Sequence, residues 1–219
     1  MSHRPESQGS EQEWATLLDG GALYASQMGN VSDARAMASK SREQRVVIFG
    51  VDGEETIDST AMLANIYWLE GRWDEAEKLH AQVMKTCKMK LGDNHPDTLR
   101  SVDNLVLIYS YQGRWEEVEK LQAEMVEMSK TKLGDDHPDT LRSMDDMAST
   151  YTNQGRWEEA EKLQAKVIET SKTKLGDDHR DTMGSMNNLG LIYWNQKRWE
   201  AAEQIQEECT FNGIQGLSL

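Results

Sequence analysis

The sequence predicts an all-α fold of stacked helix-turn-helix repeats, and three observations support this prediction. The tripeptide GRW occurs at Gly71, Gly113 and Gly155, and KRW follows at Lys197, so that the spacing is 42 residues each time. Within each repeat, apolar residues recur at steps of three and four, which is the period of one helix face. The turn glycine is a residue type that readily ends a helix, and no strand-like alternation competes. A period of this length indicates that neighbouring repeats bury each other's apolar faces.

Each repeat is predicted to contain two helices separated by the glycine turn. In the repeat around Gly113, the first apolar stripe is Leu99, Val102, Leu105, Ile108 and Tyr109, and the second is Trp115, Val118, Leu121, Met125 and Met128. Strong helix formers fill the other positions of the second helix. The predicted layout is a disordered tail (1–14), a degenerate N-terminal repeat or cap (15–50), three repeats (57–90, 99–132 and 141–174), an incomplete fourth repeat (183–212) and a second tail (213–219).

The loop LGDDHPDTLRS, residues 133–143, has the residue types of a metal or acid/base site. It is also repeated, because close copies occupy residues 91–101 and 175–185. Gly134 is predicted to end one helix, Pro138 to open the next, and Asp139 to lie in its favourable first turn. Histidines of successive repeats would lie roughly 8–10 Å apart, one helix-packing distance. That is too far to share one zinc ion, whose ligands approach to about 2 Å. The loop is therefore predicted to be structural, with no metal.

The composition limits the classes of function. The net charge of −14 and the pI near 4.8 make nucleic acid and anionic membranes unfavourable partners, and favour a protein or peptide of basic or apolar character. The two cysteines, Cys87 and Cys209, form no CxxC pair, and the N-terminus resembles no secretory signal, so a cytoplasmic protein is predicted. No phosphate loop, GxSxG elbow or HExxH motif is present, and we expect neither a catalytic site nor a cofactor.

The repeat pattern LGxxHPDTLxSxxNLxxxYxxQGRWxEAExL resembles the kinesin light chain type of tetratricopeptide repeat. The resemblance covers residues 57–206 well and residues 17–50 weakly. It implies a right-handed superhelical solenoid whose first helices line a concave groove and whose second helices form the convex back. It also implies a non-catalytic scaffold that binds an extended peptide or a partner helix in this groove.

Matching the pattern repeat by repeat gives candidate groove residues on the first helices. They are Asn65, Trp68, Arg100, Asp103, Leu107, Tyr111, Arg142, Asp145, Ser149, Asn153, Asn187, Leu191, Trp194 and Asn195. The competing interpretation is that they form a solvated helix face. Two alternative functions remain open at this point: a regulatory repeat array that associates with itself, with a weak homodimer through the C-terminal edge, and an accessory protein of a pathway whose catalytic members are separate proteins.

Overall fold

The computed structural model describes residues 8–216, with side chains described for residues 9–210. This part of the chain forms ten α-helices and no strand: α1 (Gln8–Gln27), α2 (Val31–Phe49), α3 (Glu54–Leu69), α4 (Trp73–Leu91), α5 (Pro96–Tyr111), α6 (Trp115–Leu133), α7 (Pro138–Asn153), α8 (Trp157–Leu175), α9 (Arg180–Asn195) and α10 (Trp199–Gly216). The predicted all-α helix-turn-helix fold is confirmed.

The helices belong to two compact units. The first unit ends at Gly113 and contains α1–α5, and the second begins at Arg114 and contains α6–α10. Within each unit, every helix packs against the next one along the chain. Alanines let α1 and α2 approach closely in the core of the first unit, which is Ala22, Ala25, Ala34, Ala38, Leu63 and Ile66. Larger side chains fill the two clusters of the second unit, including Met144, Val167, Met186, Leu189 and Ile192.

Histidines are the N-cap residues of the first helices in the three later repeats. The backbone N–H of Asp139 donates to Nδ1 of His137 at 3.2 Å, and His95 and His179 cap α5 and α9 in the same way. Pro138 occupies the first turn of α7, as predicted. Because the cap lies before the apolar stripe, these helices begin at residues 96, 138 and 180, three residues before the predicted repeats.

Glycines in the left-handed conformation end the helices, as the sequence predicts. Gly113 and Gly155 close the turns inside the repeats, with φ of 70° and 74°, and Gly134 follows α6 with φ of 98°. This region of φ is open to glycine at no steric cost. Lys197 adopts it in the last turn, with φ of 62°.

Both ends of the chain differ from the prediction. The helix α1 begins at Gln8, so the predicted disordered tail is wrong for residues 8–14, and residues 1–7 lie outside the described part. The ammonium of Lys40 lies 5.6 Å from the ring of Trp14, which helps to hold this first segment on α2. The fourth repeat is a hairpin of two helices rather than an incomplete repeat, because α10 continues to Gly216. Of the predicted second tail, residues 217–219 lie outside the described part.

Candidate binding surfaces

The first unit contains a cleft of about 460 Å³ between α3 and α5, and α4 forms its floor. We call it the first cleft. Its residues include Ile57, Asp58, Ala61, His80, Val83, Cys87, Asp97, Arg100, Ser101 and Asn104.

The second unit contains a cleft of about 280 Å³ at the equivalent place, between α7 and α9 with α8 as the floor. This second cleft is lined by residues that include Leu141, Arg142, Asp145, Val167, Ser171, Arg180, Gly184, Ser185 and Asn188. Its positions lie two repeats after those of the first cleft. In the floor, Val167 and Leu175 correspond to Val83 and Leu91, but Ser171 replaces Cys87; in the charged rim, Arg142 replaces Asp58.

Asp145 fixes the shape of the second cleft by joining three helices. Its Oδ1 accepts hydrogen bonds from Nε2 of Gln164 at 2.5 Å and Oγ of Ser185 at 2.9 Å, and its Oδ2 accepts from Nδ2 of Asn188 at 2.7 Å. Gln164 is fully buried and also donates to the carbonyl oxygen of Ser185 at 3.1 Å. A carboxylate with this many neutral donors is well satisfied without a counter-ion.

His80 occupies in the first cleft the position that Gln164 occupies in the second. It is 1% exposed, and its Nε2 lies 3.1 Å from the amide oxygen of Asn65. Its Nδ1 is buried without a hydrogen-bond partner among the described residues. Burial lowers the pKa of His80 to about 4, so the ring is neutral at pH 7.

The pKa values of two further groups in the first cleft are raised, which favours the neutral form of each group. Burial raises the pKa of the Cys87 thiol, and the charge of Asp97 adds to the effect. Burial and Asp97 also raise the pKa of Asp58. A thiol held in its protonated form is a weak nucleophile, so this group of residues does not favour nucleophilic chemistry.

Within the two units, the predicted groove residues lie partly in the clefts and partly on exposed helix faces. Arg100 lines the first cleft, and Arg142 and Asp145 line the second. Asn65 is paired with His80, and Trp68 is half-buried with its ring edge-on to Tyr111 at 5.7 Å. The exposed residues outside both clefts are Asp103, Leu107, Tyr111, Ser149, Asn153 and Asn195.

The three remaining predicted residues, Asn187, Leu191 and Trp194, lie on a third surface, between α9 and α10. We call it the end surface; it is a largely apolar cleft of about 640 Å³ whose other residues are Gly190, Trp199, Ala202, Glu203 and Gln206. The side chains of Trp194 and Trp199 are 61% and 51% exposed. Their rings meet edge to face, with centroids 4.6 Å apart.

The sequence interpretation missed the polar residues beneath the clefts. His80, Gln122 and Gln164 stand at one repeated position inside the apolar stripe of the second helices, and all three are buried. A polar residue that recurs within an apolar stripe was the available signal, because buried polar groups require partners on neighbouring helices. Asn104 and Asn188, also missed, lie opposite this position.

In the described part of the chain, no helix combines the length and the apolar character needed to cross a membrane.

Solved structures with the same arrangement of helices are numerous, and three of them illustrate the range. A kinesin light chain-like protein of Podosopora anserina with nearly identical TPR-like repeats is 22% identical, with a TM-score of 0.76 over 99% of this chain and all of that one. BtubC (BKLC) from P. vanneervenii is 14% identical, with a TM-score of 0.69 over 97% and 90% of the two chains. YrrB, described as a TPR protein with an unusual peptide-binding site, is 13% identical, with a TM-score of 0.51 over 92% and 91%.

Sequence comparison gives the family. No curated protein matches the chain. The tetratricopeptide repeat profile matches three overlapping stretches, residues 57–131, 102–169 and 145–210, which together cover more than half of the 219 residues. The 42-residue period, the ten helices and the kinesin light chain-like neighbours agree with this match. The chain therefore belongs to the tetratricopeptide repeat family.

Proposed function

We propose that the protein is a non-catalytic scaffold that binds an extended peptide or a partner helix through the first and second clefts. The observation that carries the proposal is that an equivalent cleft occurs in both units, with a valine and a leucine at the same floor positions and a different polar rim. These shared apolar positions suit recognition of an apolar side chain in each cleft. A variable rim suits discrimination between partners.

The rims indicate the chemistry of the ligand. In the first cleft, the carboxylate of Asp58 favours a basic side chain, whereas that of Asp97 is already paired with Arg100 at 2.9 Å. In the second cleft, Arg142 and Arg180 have no ion-pair partner among the described residues and are available to backbone carbonyls or an acidic side chain. The amide of Asn104 both donates and accepts, which suits it to hold a peptide backbone.

Several observations support a binding role over catalysis. The neutral ring of His80 and the protonated thiol of Cys87 are poor catalytic groups, and the titratable loop residues recur with the architecture. The net charge of −14 disfavours nucleic acid and anionic membranes. The unpaired thiols of Cys87 and Cys209 suit a reducing compartment such as the cytoplasm.

The test is selection of peptides from a random display library on the full-length protein, followed by affinity measurements on variants. The variants Asp58→Lys and Arg142→Glu each reverse one rim charge, the first in the first cleft and the second in the second cleft, without entering the core. Each is expected to weaken a selected peptide about 10-fold or more, as loss of a central charged contact does. The matched control is Lys162→Glu on α8, which lies outside both clefts.

The proposal fails if no peptide is selected, or if the control weakens binding as much as the cleft variants do. Circular dichroism of each variant establishes that the helices are intact, so that a loss of affinity reports on the surface.

A further inference from the structure

The end surface has a covered counterpart in the first unit. Trp68 and Trp73 stand three repeats before Trp194 and Trp199. There, the ring of Tyr111 on the next helix, α5, contacts both indoles, at 5.7 Å from Trp68 and 6.4 Å from Trp73. Trp73 is 38% exposed, compared with 51% for Trp199. The covered hairpin thus shows that an aromatic side chain from an incoming helix fits this place.

Beside this position, a glutamate on the second helix of a repeat accepts hydrogen bonds from the first helix of the next repeat and from the turn that follows that helix. In the second unit, Glu119 accepts from the hydroxyl of Tyr151 at 3.4 Å and from Nη1 of Arg156 at 2.6 Å. The equivalent contacts elsewhere are Tyr109 to Glu77 at 3.2 Å and Arg198 to Glu161 at 2.6 Å. Each donor lies on, or directly after, the first helix of the repeat that follows the glutamate.

Glu203 stands one repeat after Glu161 and lines the end surface. It is exposed and has no hydrogen bond or ion pair among the described side chains. The end surface therefore offers an apolar cleft lined by two exposed indoles that contact each other, together with an unpaired carboxylate at its edge.

The geometry points to a docking site for a helix of a partner protein. The helix presents a tyrosine, a second aromatic residue two positions later, and an arginine at its C-terminal turn. The second aromatic ring packs against the exposed faces of Trp194 and Trp199, as Tyr111 contacts both Trp68 and Trp73. The tyrosine hydroxyl and the guanidinium donate to Glu203. This site shares no lining residue with the first or second cleft, so its test does not depend on the proposed function.

A second copy of the chain fits this surface less well. The described side chains of α10 include four glutamates, Glu200, Glu203, Glu207 and Glu208, and no lysine or arginine. A symmetric contact between two end surfaces would bring the Glu203 carboxylates of the two copies together, and such like-charge contacts are unfavourable. The outer helix α1 also lacks the donors, because Ala25 and Asn30 stand where the next repeat has Tyr67 and Arg72.

The experiment uses the chain's own sequence as the probe. A fluorescein-labelled peptide of residues 96–114, which contains Tyr109, Tyr111 and Arg114, is titrated with the full-length protein, and anisotropy is recorded. We expect saturable binding that Trp194→Ala or Trp199→Ala weakens about 10-fold or more, and that Glu203→Gln weakens about 5-fold, as expected for anchor and charged contacts. A peptide carrying Tyr111→Ala is expected to lose as much affinity as the tryptophan variants.

Two control variants separate this site from other surfaces. Glu207→Gln lies on the same helix outside the cleft, and Arg142→Glu changes the second cleft; neither is expected to alter peptide affinity. The inference is overturned if the peptide does not bind, or if binding survives both tryptophan substitutions. It is also overturned if sedimentation velocity shows that the protein self-associates and that Trp194→Ala abolishes the association, because the occupant is then a second copy.

Discussion

Lys197 adopts the backbone conformation that Gly155 adopts one repeat earlier, with φ of 62° and 74°. In both turns the backbone N–H donates three residues back, from Lys197 to Trp194 at 2.9 Å and from Gly155 to Thr152 at 3.1 Å. Among the described residues, Lys197 is the one non-glycine with positive φ. A side chain with a Cβ costs roughly 1–2 kcal/mol in this region. The last hairpin therefore closes against a local strain that the earlier hairpins do not have.

We expect Lys197→Gly to raise the free energy of unfolding by about 1 kcal/mol, since glycine removes the strain but loses more backbone entropy on folding. Urea unfolding followed by circular dichroism measures the change. The reverse exchange, Gly155→Lys, serves as the control and should lower stability by a similar amount. Equal stabilities of the wild type and Lys197→Gly would show that the turn is unstrained.

The buried ring of His80 predicts a pH-dependent stability. Its pKa of about 4 in the folded chain lies below the ordinary value of 6.5, so the unfolded chain binds the proton first as the pH falls. The corresponding stability is fully present above pH 6.5 and is lost as the pH falls toward 4. Between pH 7.5 and pH 5 this group should destabilise the fold by about 2 kcal/mol.

The substitution His80→Gln should remove that contribution, because glutamine is the residue found at the same position in α6 and α8 and does not titrate. The measurement is the free energy of unfolding in urea at both pH values for the wild type and the variant. An identical loss of stability in the two proteins would rule out a neutral, buried His80.

Asp145 should contribute more to stability than its equivalent one repeat earlier. Replacing Asp145 with Ala leaves Gln164, Ser185 and Asn188 without their acceptor, which should cost about 3 kcal/mol. Asp103→Ala is the matched control; Asp103 is exposed, and its loss should cost less than about 0.5 kcal/mol. Thermal and urea unfolding compare the two variants. Similar losses for both would mean that the hydrogen bonds of Asp145 do not stabilise the fold.

The cap of α7 gives a fourth prediction. His137→Ala removes the acceptor of the Asp139 N–H and should lower the free energy of unfolding by about 1 kcal/mol. Asparagine is a strong N-cap residue, so His137→Asn should retain the wild-type stability. Differential scanning calorimetry of both variants provides the measurement. If alanine is tolerated as well as asparagine, water satisfies the helix end and the histidine cap contributes nothing.

The helices and turns could be predicted from the sequence because the residues that start and end them act on their own stretch of backbone. Gly113 and Pro138 act on the backbone through their own conformational limits, so their roles follow from residue type. The first turns of α1, residues 8–14, were missed because a segment rich in Ser, Gln, Glu and Gly has the composition of a disordered tail. Further along α1, Gly21 lies close to α2, where a Cβ would be 2.8 Å from Sδ of Met37.

The candidate site was less predictable, since exposure depends on the neighbouring repeat. Trp68 and Trp194 are equivalent in sequence, yet the first contacts Tyr111 and the second is exposed. Asp103 and Asp145 are equivalent as well, but of the two it is Asp145 that accepts hydrogen bonds from three neighbouring side chains. A single-repeat pattern contains no information on these differences.

The contacts of Arg156 with Glu119 and of Arg198 with Glu161 join the turn of one repeat to the second helix of the repeat before it. The third repeat, α7 and α8, therefore carries both a donor for the repeat before it, Arg156, and an acceptor for the repeat after it, Glu161. A head-to-tail contact of this kind repeats along an array without closing on itself. An in-frame duplication of this repeat would supply Arg156 of the second copy to Glu161 of the first, so the array would lengthen without a compensating mutation.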